Sequence, residues 1–317
     1  MKNVIFMGTP EFSVPILQQI IKDGYNVQAI VTQPDRPVGR KKQLTPPPVK
    51  VEALKHGIEV IQPEKLSGSA ELDRIKALQP DLIITAAFGQ LLPKELLEIP
   101  ALGCINVHAS LLPELRGGAP IHYAIIQGKE ETGISIMYMA EKLDAGDVIT
   151  QRAIKIDEMD DVGSLHDKLS VVGAELLSET LPSLIEGTAS RTPQDHQAAT
   201  FAWNIKREQE LIDWSRSGEE IYNQIRGLYP WPVAYTMYQG KVMKIWQVKK
   251  ILTKHESVPG VIIEKTDLGP VVATGNETAI LITELQPFGK KKMLASDYLR
   301  GAGTSITVGE RLGFIND

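Results

Sequence analysis

Short apolar runs alternate with stretches of helical period through the first two thirds of the chain. The runs are "NVIFMG" (3–8), "VQAIVT" (27–32), "IEVIQ" (58–62), "DLIITAAF" (81–88), "GCINVHA" (103–109) and "ISIMYMA" (134–140). They are almost continuously apolar rather than alternating, the pattern of strands buried on both faces. Between them, "SVPILQQIIKDG" (13–24) runs to a stop at Gly24 and "SAELDRIKALQP" (69–80) to a stop at Pro80, both reading as helices. Strand and helix in alternation predict an α/β fold of Rossmann-like type. The sheet is open and rich in parallel pairs, carries helices on both faces, and binds ligands beyond the carboxyl ends of its strands.

The pattern then changes. A long amphipathic stretch, "SLHDKLSVVGAELLSETLPSLIEG" (164–187), is followed by "TASRTPQDHQAATFAWN" (188–204), which keeps no steady period and reads as a linker. One more helix, "SGEEIYNQIRGL" (217–228), opens with Ser217 as a cap and Glu220 to complete a capping box. Beyond it come "VAYTMYQG", "KVMKIWQVKKI", "GVIIEKT", "GPVVATG", "TAILITELQP" and "SITVGERLG". Short alternating strands between Gly and Pro turns predict a smaller C-terminal β-barrel of OB-like kind. The expected division is an α/β domain over 1–189, a linker over 190–205 and the barrel over 206–317.

Composition narrows the field. With 43% hydrophobic and 23% charged residues among 317, the chain is an ordinary globular one. Its single cysteine, Cys104, excludes an internal disulfide framework and a thiolate metal cluster, and suits a reducing cytoplasm. The opening "MKNVIFMGTPEF" is too short an apolar run for a signal peptide, and no stretch is long enough to span a membrane. Net charge is −5, unevenly spread: residues 206–317 carry +2 and the remainder −7. The C-terminal third is thus the relatively basic part, although far from the balance of a typical nucleic-acid binder.

Candidate chemistry begins at "NVHASLLPELRGGAP" (106–120). Asn106 and His108 are two apart in a strand, so they share a face and can both donate to one point, as a carbonyl oxygen that turns negative in acyl transfer requires. Structural hydrogen bonds at a strand end would satisfy such a pair equally well. The loop that follows, with Pro113, Gly117, Gly118 and Pro120, is stiff and able to approach a ligand closely. In "GISIMYMAEKLDAGDVI" (133–149) a strand gives way to Asp144 and Asp147 around Gly146. Either could face the crevice and steady the His108 ring, and loop aspartates are also common turn residues.

His108, His122, Asp144 and Asp147 could hold a metal, but nothing sets a coordination spacing, and no metal is expected. The first turn, "GTPEFS", lacks the further glycines of a dinucleotide site. "QPDRPVGRKKQLTPPPVK" (33–50) is a long connection for a compact sheet. It holds Arg36, Arg40, Lys41 and Lys42 between prolines, which suits either a basic finger for phosphate or a solvated loop. Cys104 reads as core. His56, His166, His196 and His255 read as surface residues, and Trp203, Trp214 and Trp231 as packing at a domain junction.

Asn106, His108 and Asp144, set in "NVHASLLPELRG" and "GISIMYMAEKLDAGD", resemble the core of the folate-dependent formyltransferases. Four further segments, "FMGTPEFSV", "TQPDRPVGRKKQLTPPPVK", "YPWPVAY" and "LQPFGKKKM", are similar to the branch whose acceptor is methionine carried on initiator tRNA. The resemblance covers nearly the whole chain. It implies transfer of the formyl group of 10-formyltetrahydrofolate to the methionine α-amino group for translation initiation, with Asn106, His108 and Asp144 catalytic and no metal. It also implies a folate pocket lined by Phe88, Gly89, Gln90 and Leu91 and by Ser110, Leu111, Leu112 and Pro113. Arg36, Arg40, Lys41, Lys42 and Lys206 would contact tRNA, the loop 34–50 entering the acceptor stem and the C-terminal domain lying along it. The expected location is cytoplasmic, with no membrane and no obligate protein partner. A sugar formyltransferase, a formyl-folate hydrolase and a non-catalytic RNA-binding relative are the competing readings.

Overall fold

In a computed structural model the described residues are 2–39, 41–251, 254–301, 303–304 and 306–313. The chain divides into two compact units. The first joins Met1–Pro120, Glu131–Lys155 and His166–Trp203; the second joins Ile121–Glu130, Ile156–Leu165 and Asn204–Asp317.

From the N-terminus the elements are β1 (Asn3–Gly8), α1 (Ser13–Lys22), β2 (Asn26–Val31), β3 (Arg36–Val38), β4 (Gln43–Thr45), α2 (Pro48–Lys55), β5 (Glu59–Ile61) and α3 (Ala70–Leu78). There follow β6 (Leu82–Ala86), α4 (Lys94–Leu97), β7 (Cys104–His108), α5 (Pro120–Ile126), β8 (Glu131–Tyr138), β9 (Val148–Lys155) and α6 (Val162–Ile185). The main sheet has seven strands in the order β5-β2-β1-β6-β7-β8-β9. Pairing is parallel from β5 to β7, while β8 and β9 run antiparallel. The parallel-rich open sheet expected from the apolar runs is therefore present. Its strand order reverses at β1, between β2 and β6, the position at which open sheets of this kind bind ligands.

Burial explains the runs. Ile5 and Phe6, and Ile83 and Ile84, are wholly buried neighbours in sequence, so both faces of β1 and β6 are covered. Each such side chain contributes roughly 1.5–3 kcal/mol of transfer free energy. On one face Ile5, Met7, Ile83 and Cys104 pack with Leu72 and Ile75 of α3 and Leu96 of α4. On the other, α6 approaches at Gly173, where a Cβ would stand 3.0 Å from Val107 and 3.6 Å from Ile134. Cys104 is core as expected, and burial pushes its thiol up to about 12.

The second unit holds α7 (Arg207–Glu210), α8 (Gly218–Arg226), β10 (Tyr235–Tyr238), β11 (Lys241–Ile251), β12 (Ile262–Lys265), β13 (Pro270–Ala273), β14 (Ala279–Pro287), β15 (Met293–Leu294) and α9 (Ala295–Arg300). Its strands form a six-stranded sheet, β10-β11-β14-β13-β12 with β15 beside β14, antiparallel throughout. This is the small β unit that the alternating pattern predicts. α8 begins with the anticipated capping box, Ser217 accepting from Glu220 N–H while Glu220 accepts from Ser217 N–H. Over residues 306–313, "SITVGERLG" is not a strand; only an isolated bridge joins Arg311 to Val261. Trp214, expected at a junction, is buried in the core of this unit and donates to Thr236 Oγ1 at 2.9 Å. Trp203 and Trp231 stay about half exposed.

β3, β4 and α2 are among the elements that escape the periodicity. β3 and β4 make an exposed hairpin out of the basic insertion, too short to show alternation. α2 grows from "PPPVK": Pro48 takes its first turn, where a missing N–H costs nothing. Glu52 of α2 is buried at 5% exposure, accepting from Gln18 of α1 and from Lys55, with His56 at 3.3 Å. His56 is at the surface as expected, with Glu52 as a partner.

The hydrogen bond from Lys55, helped by those from Gln18 and His56, holds the Glu52 carboxyl at about 2, below its ordinary 4.5. A depressed carboxyl stabilises the fold above its unfolded value and loses that contribution as pH falls through the folded one. Glu52→Gln should therefore destabilise the protein by on the order of 2 kcal/mol at neutral pH. The gap to wild type should close between pH 4.5 and about 2, as measured by urea denaturation at several pH values.

Candidate active site

β1, β6 and β7 are consecutive parallel neighbours only through β6, so the loops after Gly8, Ala86 and His108 leave the same edge of the sheet. Short side-chain bonds tie these loops together. Ser13 Oγ donates to Ala86 O at 2.6 Å, and Thr9 Oγ1 and Gln33 Nε2 both donate to Phe88 O, at 3.0 and 3.2 Å. Phe88 itself is buried and Leu91 is 71% exposed. Gly89 has φ +87, and Gln90 turns its amide inward, accepting from Leu66 N–H and donating to Pro63 O.

The loop after β7 is fixed from the sheet. Ser135, opposite His108 on β8, donates to Ser110 O at 2.6 Å and accepts from Leu112 N–H and Gln151 Nε2. Gln151 also donates to Leu112 O, and Ser110 Oγ donates to Glu114 O at 2.6 Å. Ser110, Leu111, Leu112 and Pro113 thus form a stiff lip beside His108.

Cys104, Asn106 and His108 share one face of β7. Cys104 faces the α4 side, with Sγ 3.7 Å from Leu96 O. Asn106 is partly buried, and Thr85 of β6 donates to its Oδ1 at 2.8 Å, leaving the amide NH2 for another partner. His108 is buried at 6%. Its Nε2 lies 3.1 Å from Leu115 O and its Nδ1 lies 3.7 Å from Asp144 Oδ2.

Asp144 reaches that point by an indirect route. β8 carries the chain from Ser135, beside His108, to Tyr138, beside Ile105, so the loop after it starts remote from His108 and folds back. Gly117 N–H then donates to Asp144 Oδ2 at 2.8 Å. Asp147 goes elsewhere: its Oδ2 accepts from Arg191 Nε at 2.8 Å, and Arg191 also lies over the Tyr138 ring. Of the two loop acids, Asp144 is the one beside the histidine.

Sequence reading missed Thr85, Ser135, Arg116 and Gln194. Thr85 and Ser135 interrupt apolar strands, a signal that was available; the other two carry none. His196 is exposed as expected, and its Nδ1 lies 3.1 Å from Arg116 Nη2. The basic candidates take part in none of these bonds. Arg36 on β3 pairs with Glu64, Lys41 and Lys42 are exposed on the hairpin turn, and Lys206 is exposed ahead of α7. Arg40 lies outside the described residues. Among the described residues no group of His, Cys, Asp or Glu could hold a metal ion, and no helix is long and apolar enough to cross a membrane.

This lip, amide, imidazole and carboxylate can be set beside known proteins. The family described as Formyl transferase matches residues 1–181, and its C-terminal domain matches residues 204–303. The chain is 63% identical over 313 residues to the methionyl-tRNA formyltransferase of Geobacillus sp. (strain WCH70), covering 99% of this chain and 98% of that protein. It is 62% identical over 317 residues to that of Bacillus subtilis (strain 168), covering 100% and 99%. Among solved structures it is similar in fold to an N-formyltransferase from Helicobacter canadensis in complex with folinic acid and dTDP-3-aminofucose. That likeness has a TM-score of 0.68 at 17% identity, over 91% of this chain and 100% of the other. The chain belongs to the formyl transferase family, in the branch of the methionyl-tRNA formyltransferases.

Proposed function

We propose that this enzyme transfers the formyl group of 10-formyltetrahydrofolate to the α-amino group of methionine on initiator tRNA. The observation that carries the reading is identity above 60% along the full length of methionyl-tRNA formyltransferases. A folate co-substrate is the family's donor, in keeping with the folinic acid of the Helicobacter canadensis structure. In the reaction the amine nitrogen attacks the formyl carbon and the carbonyl oxygen becomes an oxyanion. Collapse then breaks the bond to N10 of the folate, which leaves with a proton, while the amine gives up one. The products are formylmethionyl-tRNA and tetrahydrofolate.

The residues suit this sequence of events. The NH2 group of Asn106, its oxygen anchored by Thr85, donates to the oxyanion. For His108 to donate from Nε2, its bond to Leu115 O is exchanged for one to the oxyanion, a stronger acceptor. Asp144, 3.7 Å from Nδ1, orients the ring and takes part in removing the amine proton. The folate lies against the turn of Phe88, Gly89, Gln90 and Leu91 and the lip of Ser110, Leu111, Leu112 and Pro113. The first unit, which takes in most of the expected linker 190–205, carries this chemistry, and residues 206–317 contact the tRNA. Arg40, Lys41 and Lys42 enter the acceptor stem, with Lys206 supporting; Arg36 contributes less because Glu64 partners it.

The direct test offers purified protein formyl-folate together with charged initiator tRNA, charged elongator methionine tRNA or water, and follows the label. Transfer to the initiator is expected; release to water alone would make the enzyme a hydrolase. Asn106→Ala and His108→Ala should each lower turnover about 100-fold or more through loss of an oxyanion donor, with the folded state retained by circular dichroism at the assay temperature. Asp144→Asn should reduce turnover far more than Asp147→Asn, because only Asp144 adjoins the ring. Replacing Arg40, Lys41 and Lys42 by neutral residues should weaken tRNA binding and flatten its dependence on salt. Folate affinity in the same variant should hold steady by equilibrium titration.

A further inference from the structure

Asp144 has φ +47, a left-handed conformation that costs a residue with a side chain some energy, less for aspartate than for most. Its surroundings come from far along the chain. Gln194 Nε2 donates to Asp144 O at 2.9 Å and to Gly146 O at 2.6 Å, bracketing the turn. Its Oε1 accepts from Arg116 Nε at 3.1 Å and Nη2 at 2.7 Å. A guanidinium can only donate and a carbonyl can only accept, so this pair of partners permits one orientation of the amide. Arg116 is 5% exposed and Gln194 8%, so water does not compete for these bonds.

Arg116 is itself held. Its N–H donates to Thr200 O at 2.9 Å and its carbonyl accepts from Ala202 N–H at 2.7 Å. The next residue, Gly117, sends its N–H to Asp144 Oδ2. Backbone and carboxylate of Asp144 are therefore secured by one rigid piece. Gly146 adds to the fit, since a Cβ there would stand 1.9 Å from Tyr138 O. The Arg116 cation has no carboxylate among these bonded partners. Burial pulls it below its ordinary value while the nearby charge of Asp144 acts in the opposite sense.

Resting on the catalytic reading of Asp144 above, we propose that Arg116 and Gln194 are positioning residues for formyl transfer: Arg116 aims the Gln194 amide, and the amide holds the 144–146 turn so that the Asp144 carboxylate stands against His108. Neither side chain has to touch substrate. The effect falls on the chemical step because a reacting group displaced by about 1 Å loses much of its advantage.

The test compares Gln194→Ala, Gln194→Glu and Asp144→Asn, singly and with Gln194→Ala and Asp144→Asn combined, in the full-length enzyme with charged initiator tRNA and formyl-folate. Gln194→Ala should lower kcat about 10- to 100-fold, with KM for both substrates unchanged. Gln194→Glu keeps the volume and a partner for Arg116 but cannot donate to the two carbonyls, so it should be comparably slow, with the folded state at the assay temperature checked by circular dichroism. In the Asp144→Asn background Gln194→Ala should add little further loss, since both changes act on one group. A Gln194→Glu enzyme with normal kcat, or equal losses from Gln194→Ala in both backgrounds, would overturn the proposal. If Asp144→Asn is slow and both Gln194 variants are normal, only the positioning role falls; if Asp144→Asn is as fast as wild type, the catalytic reading of Asp144 falls with it.

Discussion

The two-residue repeat of one strand governs the rest of the first unit. β7 must bury Cys104 toward α4, and the repeat then obliges Asn106 and His108 to point to that same side. Beyond the apolar part of the strand the same register places polar side chains at the carboxyl end of a parallel sheet, the edge where such sheets bind ligands. Neighbouring strands supply what those polar groups need. Thr85 of β6 meets Asn106, and Ser135 of β8 meets the loop that follows His108. Each is a small hydroxyl residue inside an apolar strand, where a buried polar atom is tolerated only with a partner.

The strand alone does not make the site. Asp144 arrives on a loop that starts at the wrong end of β7 and is returned to His108 by bonds from the 190–203 segment. That segment pairs with Val148 through Thr192, with the 144–146 turn through Gln194, and with the 113–119 loop through Thr200 and Ala202. It has no helix or strand, yet it laces both loops of the site together. Its geometry follows from hydrogen bonds to other segments, which is why it carries no repeat of its own.

These facts mark the limits of what the amino-acid order discloses. The strands of the main sheet are legible because burial on both faces writes a continuous apolar run, and Ser217 with Glu220 announces a helix start within a few residues. Asn106 and His108 are legible from spacing. The choice of Asp144 over Asp147 is not settled by spacing, since only the fold shows Arg191 engaging one of them. Arg116 and Gln194 lie 78 positions apart, and no local pattern couples them. α2 and the β3–β4 hairpin stayed hidden for another reason: a helix begun on prolines and strands this short offer too few residues for a period to register.

The solitary thiol has a practical consequence. Cys104 is enclosed by the core of the first unit, and its proton is retained far above neutral pH, so reagents that attack thiolates find almost none of it in the folded state. A cysteine introduced at an exposed position such as the hairpin turn would react by itself, without prior removal of the native one. Spectroscopic labels could then be attached at chosen points of an otherwise unaltered chain.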